Sequence, residues 1–223
     1  MTASPGDEAM SDGSNAQPVA LRSGTPLTPM QRSLWASQHR HPTSPLQNMA
    51  LLTHIDGSVD ARRLSAAFEL VVRSSDLLRT RIVSDDGVAM VRVSDEVAAS
   101  ELVDVPRSGA TAWSLERVRH PIDLFQRGYD SAILQHDDGT TSWYLALHHA
   151  ITDATSSMLV FDATAAAYAG DEVEIESYYG WWRSRGADPR RERAERYWQA
   201  RKPAPKVGRL YRSVNRPEPA STR

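Results

Sequence analysis

A chain of 223 residues, 40% of them hydrophobic, is long enough to enclose one ordinary core and too apolar to be disordered throughout. It has no cysteine, which excludes disulfides, thiolate nucleophiles and zinc ribbons and leaves any chemistry to imidazole, carboxylate, hydroxyl and backbone groups. The net charge of −2 hides an uneven distribution: residues 183–223 hold 13 of the 26 Lys and Arg against four acids, whereas residues 1–182 hold 13 against 24.

Prolines mark the boundaries, six of the 13 falling in the first 45 residues and four in the last 21. They predict a disordered N-terminal segment over residues 1–24, a domain over 25–202 and a Pro/Arg-rich linker or tail over 203–223. The opening residues carry no apolar stretch of the kind a secretory signal needs, and no window approaches the roughly 18 to 20 apolar residues that cross a bilayer. The expectation is a cytoplasmic protein with no membrane partner.

The first element is announced by Leu27-Thr28-Pro29-Met30-Gln31. Thr28 can cap a helix, Pro29 suits its first turn, and Gln31 completes a capping box. The helix should run to about His39 and bury Met30, Leu34 and Trp35. Asn48 to Ile55 reads as a strand. From Ser58 onward Leu64, Ala67, Phe68, Val71 and Val72 recur at helical spacing. Two strands, Leu78 to Val83 and Val88 to Val93, flank an Asp86-Gly87 step that favours a tight hairpin. A helix over Ala112 to His120 stops at Pro121. A second hairpin pairs Asp130 to His136 with Ser142 to His148. Ser156 to Tyr168 is helical, with Gly170 as its terminator. A last helical stretch, Ser177 to Lys202, breaks near Gly186 to Pro189. Its basic end reads as an exposed Glu/Arg helix and a solvated tail. Without a helix-turn-helix or zinc signature, nucleic acid is not expected as a partner.

The residues with chemistry to offer are His148 and His149, adjacent at the exit of the apolar strand Trp143 to Leu147 and followed by Asp153. Consecutive strand residues point to opposite faces, so only one imidazole can enter a given cavity. Two His and an Asp are too few ligands for a closed zinc site, and no metal is expected. Either one histidine is a general base, with Asp153 neutralising an Arg that holds the turn, or both are core residues and Asp153 caps the next helix.

Leu147-His148-His149-Ala150-Ile151-Thr152-Asp153-Ala154-Thr155-Ser156 resembles the HHxxxDG motif of the condensation-domain superfamily, which includes the condensation domains of nonribosomal peptide synthetases and chloramphenicol acetyltransferase. Three further stretches follow that family's order. Leu27 to Trp35 resembles its opening LTxxQxxLW helix, Leu78-Arg79-Thr80-Arg81-Ile82 the end of its RHExLRTxF segment, and Tyr178-Tyr179-Gly180-Trp181-Trp182 with Tyr197-Trp198 its YxDYAxW…YW region. The resemblance covers about Leu27 to Trp198.

It implies an α/β fold: a chloramphenicol-acetyltransferase-like two-layer sandwich with a mixed sheet flanked by helices, as a single lobe. It also implies His149 at the reaction centre, with His148 and Asp153 as supports, Asp153 through an arginine salt bridge. An amine or hydroxyl would attack a thioester carried on the phosphopantetheine of an acyl or peptidyl carrier protein, or on CoA. No cofactor would be bound by the chain itself. The family glycine after Asp is Ala154 here, and Ser74 and Ser75 stand where the family has Arg and His, which leaves Arg73 or Arg79 to pair with Asp153; Ser156 falls within the motif with no role assigned. Condensation domains contain two such lobes and residues 203–219 resemble the linker between them, so a separate C-terminal lobe or a homo-oligomer is expected to complete the site. A non-catalytic carrier-docking or synthetase-stabilising module is the alternative.

Overall fold

The computed structural model describes residues 24–185 and 189–201. The predicted N-terminal segment, apart from Gly24, and the predicted tail lie outside them. The chain divides into a main unit through Trp181 and a second unit from Trp182.

The main unit contains two sheets. In chain order its elements are β1 (Thr25–Pro26), α1 (Pro29–Arg40), β2 (Asn48–Ile55), α2 (Ala61–Ser74), β3 (Thr80–Asp85), β4 (Val88–Val93), β5 (Glu101–Asp104), α3 (Ala110–Arg117), β6 (Tyr129–Gln135), β7 (Thr141–His148) and α4 (Ala154–Ala169), and then α5 (Tyr178–Ser184) begins. The smaller sheet has the order β1-β4-β3 and the larger the order β2-β7-β6-β5. Only β5 runs parallel to its neighbour, so the sheet is mixed, as expected.

Strand β7 is the axis of the larger sheet. Every residue from Thr141 to His148 is buried, because both faces of this central strand are covered. Trp143, Leu145 and Leu147 join the core formed with Leu64, Phe68, Val71 and Val72 of α2, and the Phe161 ring of α4 packs tilted against Trp143, 4.6 Å between ring centres. Tyr144 and Ala146 face the other way, toward Val105, Ala110 and Ile122, with Trp113 of α3 edge-on to Tyr144. Arg117 anchors α3 to the sheet through a two-pronged pair with Asp130 of β6, at 2.7 and 2.9 Å, and reaches Glu101 of β5 at 2.8 Å.

The helix starts follow local chemistry. Thr28 and Gln31 form the predicted capping box, at 3.3 and 3.1 Å. Met30, however, is 68% exposed, contrary to expectation. The inward face of α1 is instead claimed by Gln31, which is buried and hydrogen-bonded across the fold, with Leu34 and Trp35 packed against the core behind it. Helix α2 starts at Ala61 because the Asp60 carboxylate accepts from the backbone N–H groups of Arg62 and Arg63. The Asp86-Gly87 turn forms as read, with φ of 47° and 77°, the left-handed pair that its tight hairpin requires. Gly170, at φ 103°, ends α4 as predicted. Strands β1 and β5 had no sequence signal: two and four residues are too short to show alternation, and long-range pairing creates them.

In the second unit, α6 (Pro189–Ala200) is exposed at every residue whose side chain is described, as its charge pattern predicts. Tyr197 and Trp198 meet edge to face, and Arg201 lies 4.0 Å from the Tyr197 ring centre. Of the predicted break near Gly186 to Pro189, Pro189 is the first residue of α6, and residues 186–188 lie outside the described residues.

Candidate functional site

The turn that follows β7 separates the two histidines. The strand's last hydrogen bonds run from His148 N–H to Gly128 O at 2.8 Å and from His149 N–H to Gln47 O at 2.8 Å, so the backbone is clamped on both sides where the imidazoles diverge.

His148 is fully buried. Its Nδ1 accepts from the Ala150 N–H at 3.0 Å, which puts the proton of the neutral ring on Nε2, an atom with no hydrogen-bond partner among the described residues. Desolvation, helped by the charge of His149, pushes its pKa down to about 4. A histidine depressed in the fold and near 6.5 when unfolded must be neutral to fold, so the unfolded chain binds the extra proton between these values. Stability is therefore expected to fall as the pH drops from about 6.5 to 4, by up to about 3 kcal/mol from this residue. Urea unfolding at pH 7 and pH 4.5 measures the loss, and His148→Asn should flatten it. An unchanged slope in that variant would assign the acid lability elsewhere.

His149 is exposed. Its Nδ1 lies 2.8 Å from the Thr152 carbonyl oxygen. A carbonyl can only accept, so Nδ1 carries the proton and the Nε2 lone pair of the neutral ring is left unengaged. This arrangement can take a proton from a nucleophile that reaches Nε2.

Asp153 is the N-cap of α4, accepting the Ser156 N–H at 2.7 Å. That bond, with the Ser156 side chain and the nearby His149, holds its carboxyl below the usual range. The expected arginine salt bridge is not formed, and among the described residues Asp153 has no arginine partner. Arg79 instead donates to Ser94 O at 3.1 Å and pairs with Asp95 at 3.5 Å, while Arg73 pairs with Glu69 one turn back at 3.7 Å. The reason is local: Asp-x-x-Ser at a helix start closes its own hydrogen bond and needs no distant cation. Ala154 is the first residue of α4, two residues earlier than the sequence pattern placed it, and is exposed. Asp153→Ala is expected to cost about 1 kcal/mol by thermal denaturation, with Asp153→Asn close to wild type.

A second cluster was missed in the sequence as a site, although the motifs pointed at it. The buried Tyr179 hydroxyl lies 3.0 Å from Gln31 Nε2 and 2.7 Å from Thr80 Oγ1. Asp76 meanwhile accepts from Ser177 Oγ and from the N–H groups of Tyr178 and Tyr179, at 2.6, 3.0 and 3.1 Å. Residues from the first, second and fourth family-like stretches thus converge on one hydroxyl, and their job there is to lock α1, β3 and α5 together. Burial raises the Tyr179 pKa far above its ordinary value, so the group stays neutral. Tyr179→Phe is expected to destabilise the fold by about 1–3 kcal/mol in chemical denaturation, because Gln31 Nε2 loses its acceptor, while Thr80 Oγ1 keeps the Asp76 carbonyl at 3.2 Å.

Two clefts, of about 570 and 500 Å³, lie beside Arg79, Arg81 and Phe125 and beside Arg117, His120 and Asp130; neither has His149 in its lining. Among the described residues no helix is long and apolar enough to cross a membrane.

The architecture is shared with solved structures. The starter condensation domain of the rhizomide synthetase RzmA superposes with a TM-score of 0.73 at 24% identity, over 80% of this chain and 47% of that one. A form of that domain in complex with C8-CoA and Leu-SNAC matches at 0.70 and 23%, over 79% and 45%. A peramine synthetase of Metarhizium majus is 25% identical over 166 residues, 70% of this chain and 6% of the synthetase. The fold is therefore that of a condensation domain, of which this chain spans about half. The condensation-domain family model matches residues 22–218, and the chain belongs to that family.

Proposed function

We propose that this chain is one lobe of an acyl-transfer site, in which His149 promotes attack of an amine or hydroxyl on a thioester held by the phosphopantetheine of a carrier protein, or by CoA. The observation that carries the reading is an exposed imidazole whose Nδ1 is tied to a backbone carbonyl, while its Nε2 has no partner among the described residues. In the step, Nε2 takes the acceptor's proton as its nitrogen or oxygen bonds to the thioester carbon. The C–S bond then breaks, and the imidazolium returns the proton to the departing thiolate.

The domain of this reading is 25–202. The second wall of the site is a separate C-terminal lobe or another copy of the chain, consistent with a match to about half of each solved condensation domain. Aligning two reactants is worth more than a base alone. Product formation from acyl-phosphopantetheinyl carrier protein and an amine acceptor should accordingly be slow for the dilute chain and rise with chain concentration or with an added second lobe. Fast, concentration-independent turnover would show that the lobe is sufficient. The competing reading, a carrier-docking module without turnover, is favoured by Ala154 in the family glycine's position and by the lack of an arginine on Asp153 among the described residues. Carrier binding with no product under any pairing would establish it.

A further inference from the structure

We propose that Thr152 and Ser157 are positioning residues, whose hydroxyls, both bonded to the Asp153 carbonyl, hold the turn from which the Thr152 carbonyl sets the tautomer of His149. The inference rests on the catalytic reading of His149 and adds what makes that imidazole a base in one direction only.

An exposed histidine is ordinarily free to rotate and to exchange tautomers. His149 is constrained by one bond, from Nδ1–H to the Thr152 carbonyl at 2.8 Å, and that carbonyl is only as fixed as the peptide joining Thr152 to Asp153. Three interactions fix the next carbonyl along, that of Asp153, and with it the Asp153 Cα at which this peptide ends. The Asp153 carbonyl accepts the Ser157 N–H at 2.9 Å as the first backbone bond of α4. It accepts the Ser157 Oγ–H as well, at 2.9 Å. The Thr152 hydroxyl sits 3.1 Å from both Ser157 Oγ and the Asp153 carbonyl.

Each hydroxyl has one hydrogen, and the Asp153 carbonyl is an acceptor for both, at 2.9 Å from Ser157 Oγ and 3.1 Å from Thr152 Oγ1. The pair is enclosed, with Thr152 8% and Ser157 1% exposed. Away from water such bonds are stronger and cannot be replaced by solvent. The device therefore couples the rigid first turn of α4 to an imidazole that is itself in solvent. Its buried half supplies the stiffness and its exposed half meets the substrate. Asp153 caps the same turn through Ser156, so the carboxylate and the tautomer share one support.

The test uses the full chain, 15N-labelled at histidine, with nitrogen shifts and long-range couplings reading the tautomer of His149 and steady-state kinetics run in the assembled acyl-transfer assay. Wild type should show Nδ1 protonated and Nε2 bare in the neutral ring. Thr152→Val and Ser157→Ala should each move population to the Nε2–H form and lower kcat about tenfold with KM for the thioester unchanged, a fraction of the full worth of a general base. Thr152→Ser, which keeps the hydroxyl, should restore both. Either variant that folds is sufficient, and near-UV circular dichroism shows which do. An unchanged tautomer in the folded variants overturns the proposal, whatever the kinetics. A tautomer that shifts as expected while His149→Ala still turns over at the wild-type rate leaves the positioning intact and removes the catalytic reading.

Discussion

His149→Ala is expected to lower acyl transfer about 10²- to 10⁴-fold in any pairing of this chain that is active, with the fold and carrier binding retained. The ring is exposed and, among the described residues, bonds only to Thr152 O, so its removal opens no core cavity and strands no buried donor. Its neighbour makes the contrast. His148 is fully enclosed and its Nδ1 holds the Ala150 N–H, so His148→Ala should appear first as lost stability and only then as lost rate. Product formation and thermal denaturation measured on both variants separate the roles. Wild-type turnover by His149→Ala would take this imidazole out of the mechanism and leave the docking module as the better account.

The largest expected loss of stability is at Phe68. It is fully buried on α2 and packs edge-on against Tyr129 and Trp143, each at 5.4 Å between ring centres, which ties the helix to both β6 and β7. Phe68→Ala is expected to cost about 3–5 kcal/mol, the apolar transfer lost together with the cavity left behind. For a chain of this size that is a fall of roughly 10 °C in Tm. Leu115→Ala, at a position 58% exposed, serves as the control and should stay within about 0.5 kcal/mol. A Phe68 variant that melts with wild type would mean that α2 contributes little to the cooperative unit.

The elements read well where a short window carries the whole signal. Thr28 and Gln31 close a capping box within four residues, Asp86-Gly87 turns a hairpin within two, and the apolar spacing of α2 repeats inside one helix. The error at Met30 has the opposite character. Nothing near it announces that Gln31, a polar residue, would take the inward face, because its partner is Tyr179, 148 residues away. The supposed salt bridge of Asp153 failed in the other direction: a local cap three residues on satisfied a group for which a distant arginine had been sought.

From its residues alone this chain settles that a β-strand ends in two histidines at the edge of an α/β core and that its motifs stand in condensation-domain order, because strand alternation, helix periodicity and capping act over a few residues. Which imidazole is entombed and which faces water, and that Gln31 and Thr80 share the Tyr179 hydroxyl, were decided only by tertiary packing. The Tyr179 hydroxyl meets partners 99 and 148 positions away, and no local pattern encodes their meeting.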